Sequence, residues 1–208
     1  MCWMTLRRQN DALAHGIIDI ADHEQSNGHS WGYAFAEDGE IHVEKGVGTI
    51  PRNKLMVPAV DNAIVHTRFA TTGAVNETNA HPFRIVHGGE TVAALAHNGT
   101  WHGAPRHEKY SDTWMMARLF EQNLNETDDF EQALLETTDR CGETLTVLRQ
   151  DGTGYVYAGR FSITHDGNGV VASSGHDPLT EGLYRLETDG EFVEVEPEQR
   201  TIAEYNRR

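Results

Sequence analysis

Lysine is nearly missing from this chain: only Lys45, Lys54 and Lys109 occur among 208 residues. Lysine and arginine together number 17 against 32 aspartates and glutamates, a formal net charge of -15. So one-sided a balance excludes binding to nucleic acid or to an anionic membrane by general electrostatics, because both would repel the chain. The acids are spread along the sequence and do not form a tail. An ordinary acidic cytosolic protein could carry them. Combined with scarce lysine, they point to a protein adapted to high salt, where the screening length shrinks to ~3 Å at 1 M and self-repulsion is quenched.

Long apolar runs are missing too. No stretch approaches the ~18 residues that a spanning helix needs. The opening MCWMTLRRQN has no apolar segment behind its charges, so neither a signal peptide nor an anchor is expected and the cytoplasm is the expected compartment. Cysteine occurs twice, at Cys2 and Cys141, enough for one bridge at most, and a cytoplasmic address argues against that bridge. There is no internal repeat and no low-complexity linker. An apolar share of 38% suffices for one core, so a single compact domain over residues 1–208 is expected.

Local patterns are clear. WGYAFAEDGEIHVEKG alternates on both sides of Asp38-Gly39, a turn pair that favours positive φ, and reads as a β-hairpin. NAIVHT and TVAALAHNG are short apolar runs that end in polar residues, as buried strands do when they deliver side chains to a site at their ends. SDTWMMARLFEQNLNE places Met116, Leu119, Phe120 and Leu124 at helical spacing behind Ser111 or Asp112 as cap. DFEQALLETTDRCG repeats the pattern with Phe130, Ala133 and Leu134, and Gly142 stops it. TLTVLRQDGTGYVYAGR, GVVASS and GLYRLETDGEFVEVE then read as strands with Asp-Gly turns. Strands, two helices and strands again, with no repeated βαβ unit, fit a layered α+β fold.

Cys2 stands where removal of the initiator methionine would leave it first in the chain. A thiol beside a free α-amino group needs no separate histidine: the amine, with a reference pKa near ~8, can shuttle the thiol proton itself or through water. Position alone does not distinguish this from a chance cysteine at a chain end.

Five further motifs bear on the choice. MCW, HTRFATTG, NAHPF, AHNGTWHG and SDTWMMARLF occur in the order, and roughly at the spacing, found in class II glutamine amidotransferases, whose glutaminase domains fall in the N-terminal nucleophile hydrolase superfamily. TLTVLRQDGTGYVYAGR and GVVASSGHDPL resemble that family's second half, so the resemblance runs over nearly the whole chain. One departure is plain: the family usually has glycine after the nucleophile, and here Trp3 follows.

The resemblance implies a four-layer αββα sandwich of two mainly antiparallel sheets flanked by helices. It also implies hydrolysis of the side-chain amide of L-glutamine through a Cys2 thioester, with no cofactor. Arg68 would hold the α-carboxylate through its planar fork. Asp112 would hold the α-ammonium, though it also suits a helix first turn. Asn98 and Gly99 would form the oxyanion hole, although an Asn-Gly pair is also a common tight turn. Thr71, in the Thr71-Thr72-Gly73 turn, and His81 would shape the pocket. Such domains are generally coupled to a synthase that uses the ammonia, and a partner subunit is therefore implied. Its acceptor stays open among amino-sugar, nucleotide-base and modified tRNA-base synthesis. Hydrolysis of another amide and an inactive binding domain also stay open, the latter because of Trp3.

Twelve histidines invite a metal, above all His97, His102 and His107 at intervals of five. Helical zinc pairs need spacings of three or four, and the intervening glycine and proline rule out one helix. No metal site is expected. Cys141, at a helix end, reads as a small packed residue.

Overall fold

The computed structural model of the protein describes residues 2–8, 12–14, 16–17, 28–54, 56–160, 163–165, 171–172, 181–187 and 191–196. Twelve strands are seen among them: β1 (Trp3–Arg8), β2 (Ser30–Glu37), β3 (Glu40–Val47), β4 (Asn62–Arg68), β5 (Phe83–His87), β6 (Glu90–Asn98), β7 (Thr144–Arg149), β8 (Gly154–Ala158), β9 (Thr164–His165), β10 (Val171–Ala172), β11 (Gly182–Leu186) and β12 (Phe192–Glu194). Two helices, α1 (Asp112–Thr127) and α2 (Phe130–Cys141), lie between β6 and β7.

The strands form two sheets of six. The first has the order β3-β2-β4-β1-β10-β9 and the second β12-β11-β8-β7-β6-β5, and their neighbouring strands are antiparallel. Asp38 and Gly39, at φ 52° and 80°, make the β2–β3 turn, so the Asp-Gly signal reads true. The second helix carries Asp129 as N-cap, accepting from the Gln132 N–H, and Gly142 as its left-handed stop. Ser111, rather than Asp112, caps the first, accepting from the Trp114 N–H. Of GVVASS only Val171–Ala172 is described, and the Asp189–Gly190 turn lies outside the described residues.

Three apolar layers hold these elements together. Met4, Leu6, Ala34 and Ile64 of the first sheet face Ala94, Ala96, Leu148, Val156 and Ala158 of the second. The second sheet's outer face, through Phe83, Leu95, Leu145, Val147 and Tyr155, packs on Met116, Phe120 and Leu134 of the helices. The first sheet's outer face, with Trp3, Trp31, Tyr33 and Val65, takes Ala12, Leu13 and Ile17 from helical residues 12–14 and 16–17. The result is an αββα sandwich. Strand alternation allows it, since successive side chains leave each strand on opposite faces and each sheet must be covered twice.

No helix among the described residues is long and apolar enough to cross a membrane.

Candidate active site

Antiparallel pairing of β1 with β4 sets Trp3 opposite Thr67 and Met4 opposite His66. Continuing that register by one residue brings Cys2 beside Arg68, the last residue of β4. The thiol donates to the Phe69 carbonyl at 3.6 Å. Burial pushes the thiol up from its ordinary value, while the Arg68 charge pulls it down and Asp112 pushes it up. Cys2, Arg68 and Asp112 thus share one electrostatic neighbourhood.

Arg68 is 3% exposed. Its guanidinium donates to the Thr72 carbonyl and to the Ala74 carbonyl at 3.4 Å, which employs two of its five N–H donors. Asp112, the first residue of α1, accepts from the Thr72 hydroxyl, the Trp101 N–H and the Thr113 N–H, each at 2.9 Å. A carboxylate there also gains from the positive end of the helix dipole. Thr72 therefore joins the two charged residues: its carbonyl serves the arginine and its hydroxyl serves the aspartate.

The second sheet contributes from β6. Asn98, its last residue, is 1% exposed, and Gly99 follows at φ 139°, a region that residues with a side chain rarely enter. The next residue, Thr100, hydrogen-bonds Thr71 hydroxyl to hydroxyl at 3.1 Å. An open cleft of about 700 Å³ lies above, lined among others by Thr71, Thr72, Trp101, Arg106, His107 and Asp112. Of the seven residues singled out in the sequence, Thr71 and Asp112 line it.

His81 is not among the residues that line this cleft. It is 2% exposed, and its ring packs 4.1 Å from that of His66 and 5.2 Å from that of Phe83. His97 is also buried, with Nδ1 2.9 Å from the Thr113 hydroxyl. His102 and His107, in contrast, line the cleft, so the spacing of five gathers no common site. Among the described residues no group of three potential ligands is arranged to hold a metal ion.

No family model matches the chain. A glutamine–fructose-6-phosphate aminotransferase (isomerizing) from Pyrococcus horikoshii is 30% identical over 172 residues, covering 74% of this chain and 28% of that protein. Its namesake from Geobacillus kaustophilus is 28% identical over 163 residues, 74% of this chain and 25% of that one. The Halalkalibacterium halodurans protein is 26% identical over 190 residues, 83% and 30%. The chain thus spans under a third of these curated relatives. In fold it matches the glutamine phosphoribosylpyrophosphate amidotransferase of B. subtilis, with TM-score 0.65, 20% identity and coverage of 93% of this chain and 49% of that one. It also matches an allosteric regulatory enzyme of purine biosynthesis, with TM-score 0.68, 18% identity and the same coverage, 93% and 49%.

The chain belongs to the class II glutamine amidotransferases.

In this member of the family, several residues that build the site were not singled out by the sequence. Asn79 is one: its amide donates to the Ala74 and Lys109 carbonyls at 2.9 and 2.8 Å and its oxygen accepts from the Ser111 N–H at 2.8 Å. It thereby ties the loop held by Arg68 to the start of α1. Its presence in NAHPF was the available signal. Trp101, within AHNGTWHG, is another, and its motif was equally visible; Thr72 belongs to the Thr71-Thr72-Gly73 turn expected to shape the pocket, and its link between Arg68 and Asp112 is the part the sequence did not show. Gly73, at φ 68°, stands where a Cβ would meet the Ser111 nitrogen at 2.7 Å, so that turn and α1 abut through bare backbone.

Burial keeps His66, His81 and His97 neutral. It lowers His66 to about 3, with Arg68 adding to the effect, takes His81 well below its ordinary 6.5, and lowers His97 against the opposing pull of Asp112. In the unfolded chain they take up protons near ~6.5. Their folded values are depressed, so each contributes stability that is complete above about pH 6.5 and declines as pH falls, the unfolded state binding the extra protons; for His66 the decline runs down to about pH 3. Inside that window His66 steepens the loss by about 1.4 kcal/mol per pH unit. Denaturant unfolding of wild type and His66→Gln at pH 7 and pH 5 should give a smaller loss for the variant; equal losses would show that His66 titrates normally in the fold.

Proposed function

We propose that this chain is a glutaminase domain, extending over residues 1–208, that hydrolyses the side-chain amide of L-glutamine to glutamate and ammonia. One observation carries the reading. A thiol at position 2 that donates to the Phe69 carbonyl, a buried guanidinium and a carboxylate joined through Thr72, and an Asn-Gly pair at the end of a strand of the facing sheet converge on one edge of the sandwich.

The chemistry follows from these groups. The Cys2 thiol passes its proton to the α-amino group exposed by loss of Met1, and Sγ attacks the amide carbon of glutamine. The C=O pair moves onto oxygen, and the Asn98 side-chain amide and Gly99 N–H hold the oxyanion. Collapse breaks the C–N bond, the ammonium returns the proton to the leaving nitrogen, and ammonia departs. Water then cleaves the thioester, giving glutamate and free thiol. Arg68 pairs with the α-carboxylate and Asp112 with the α-ammonium, both unchanged throughout. The Thr71 side adjusts the cleft wall, and His81 helps to shape the pocket from a buried position.

The ammonia serves a synthase domain or subunit, and the scarce lysine with net charge -15 fits a cytoplasm rich in salt. Intact mass should report loss of Met1, and Cys2→Ala should abolish glutamate release while leaving the fold unchanged, whereas Cys141→Ala should retain activity. A fully active Cys2→Ala protein would end the nucleophile assignment.

Binding and turnover should separate. Arg68→Ala should mainly raise KM, because it contacts a group that does not change; Asn98→Ala should mainly lower kcat, by ~10²–10³-fold, because it meets charge that exists only in the transition state. Changes confined to KM in both variants would refute this division.

The surface charge leads to a further expectation. Like charges on a domain of this size repel at low ionic strength, so the thermal midpoint should climb from dilute buffer to molar chloride. A midpoint highest in dilute buffer would remove the salt-adaptation reading and leave the glutaminase reading intact.

A further inference from the structure

The proposed nucleophile and carboxylate holder sit on one sheet, while the proposed oxyanion donors sit on the other. Cys2 precedes β1 and Arg68 ends β4 in the first sheet, and Asn98 ends β6 in the second. Productive attack needs the donors within hydrogen-bond distance of an oxygen bound to the carbon that Cys2 attacks. Some contact must fix the two strand ends relative to each other.

His66 makes such a contact. It lies two residues before Arg68 on β4, fully buried at 0% exposure. Its Nε2 is 3.2 Å from the backbone carbonyl of His97, the residue before Asn98, and 2.9 Å from His81 Nδ1. A carbonyl oxygen can only accept, so Nε2 carries the hydrogen of the neutral ring. His81 Nδ1, facing that same N–H, is then an acceptor and carries its own hydrogen on Nε2. The tautomers of both rings follow from one carbonyl.

The setting supports that geometry. β5 begins at Phe83, opposite Leu95, so His97 lies beyond the stretch of β6 that β5 covers. Lys45 reaches across and donates to the Ala80 carbonyl at 2.7 Å and the Pro82 carbonyl at 3.2 Å, gripping the chain on both sides of His81. One of the three lysines is thus spent on holding the imidazole that shares the His66 hydrogen. Two further ties join the segments beyond these edges: Thr71 to Thr100 is a pair of hydroxyls in an exposed position, where water competes for both partners, and Asp112 accepts from both the Thr72 hydroxyl and the Trp101 N–H, outside the strands themselves.

We infer that His66 is a positioning residue for the glutaminase reaction: its Nε2–H, shared between the His97 carbonyl and His81, locks the strand ending in Arg68 to the strand ending in Asn98 and so sets the oxyanion donors against Cys2. This role rests on the glutamine-hydrolysing reading given above.

The test compares wild type, His66→Leu, His66→Gln and His66→Asn for glutamate release and for alkylation of Cys2 by a diazoketone analogue of glutamine. The glutamine amide nitrogen can occupy the Nε2 position and donate to both partners; leucine cannot donate, and the asparagine amide is too short to reach. His66→Leu should lower kcat by ~10–100-fold, the scale of a slight misplacement at a reacting centre. Its KM should stay near wild type and its alkylation should reach one label per chain, which excludes a merely unfolded fraction. His66→Gln should recover most of the lost kcat and His66→Asn should not.

Wild-type kcat in His66→Leu would overturn the role. If His66→Leu does not fold, equal kcat in the glutamine and asparagine variants would overturn it as well. A wild-type protein that releases no glutamate would overturn the glutaminase reading itself, and this role with it.

Discussion

Everything proposed for this site depends on the separation of two stacked sheets. Face-to-face sheets pack about 10 Å apart, a distance set by the side chains between them and not by any feature of the site. Here the filling consists of Met4, Leu6, Ala34, Ile41 and Ile64 on one side and, on the other, the small Ala94, Ala96 and Ala158 among the larger Leu148, Val156, Tyr184 and Leu186. Large residues meeting small ones can interdigitate without voids. That core fixes the mean spacing, and the polar contacts at its edge choose the alignment. In the proposed mechanism a glutamine amide lying between the edges would be approached by sulfur from one sheet and by hydrogen-bond donors from the other.

The charged residues of the site survive burial because the loops give them partners. An isolated guanidinium or carboxylate taken out of water would cost far more than the fold could supply. Arg68 gives two of its donors to the Thr72 and Ala74 carbonyls, and Asp112 accepts from Thr72, Trp101 and Thr113. Two charges of opposite sign are therefore held by a network that would persist without ligand. A zwitterionic substrate would meet preset charges rather than assembling them, which lowers the ordering cost of binding.

The sequence made the elements visible because each carries a local instruction. Asp38-Gly39 demands a particular turn, Asp129 and Gly142 mark the ends of one helix, and the apolar runs NAIVHT and TVAALAHNG fall on strands whose ends, Arg68 and Asn98, lie within one residue of theirs. What stayed hidden was partnership across distance. Nothing near Asn79 says that it will bond Ala74, Lys109 and Ser111, and nothing near His66 says that it will reach the carbonyl of His97. The choice between Ser111 and Asp112 as cap failed to resolve for a related reason: both residue types suit the position, and only the distant Thr72 and Trp101 claim the aspartate.

Trp3 illustrates how a departure from a family pattern can be absorbed. A bulky ring directly after the proposed nucleophile would obstruct substrate if it turned towards the cleft. Successive strand residues face opposite ways, and Trp3 falls on the outer face of its sheet, 8% exposed, with Trp31, Tyr33 and Val65, whereas Met4 points into the core between the sheets. The ring therefore adds to the layer that covers the first sheet and contributes buried apolar area at the start of the chain. Residue 3 is also paired with Thr67, so anchoring its side chain steadies the backbone immediately after Cys2 and before Arg68. A position where glycine is usual has become an anchor for the strand that carries the thiol.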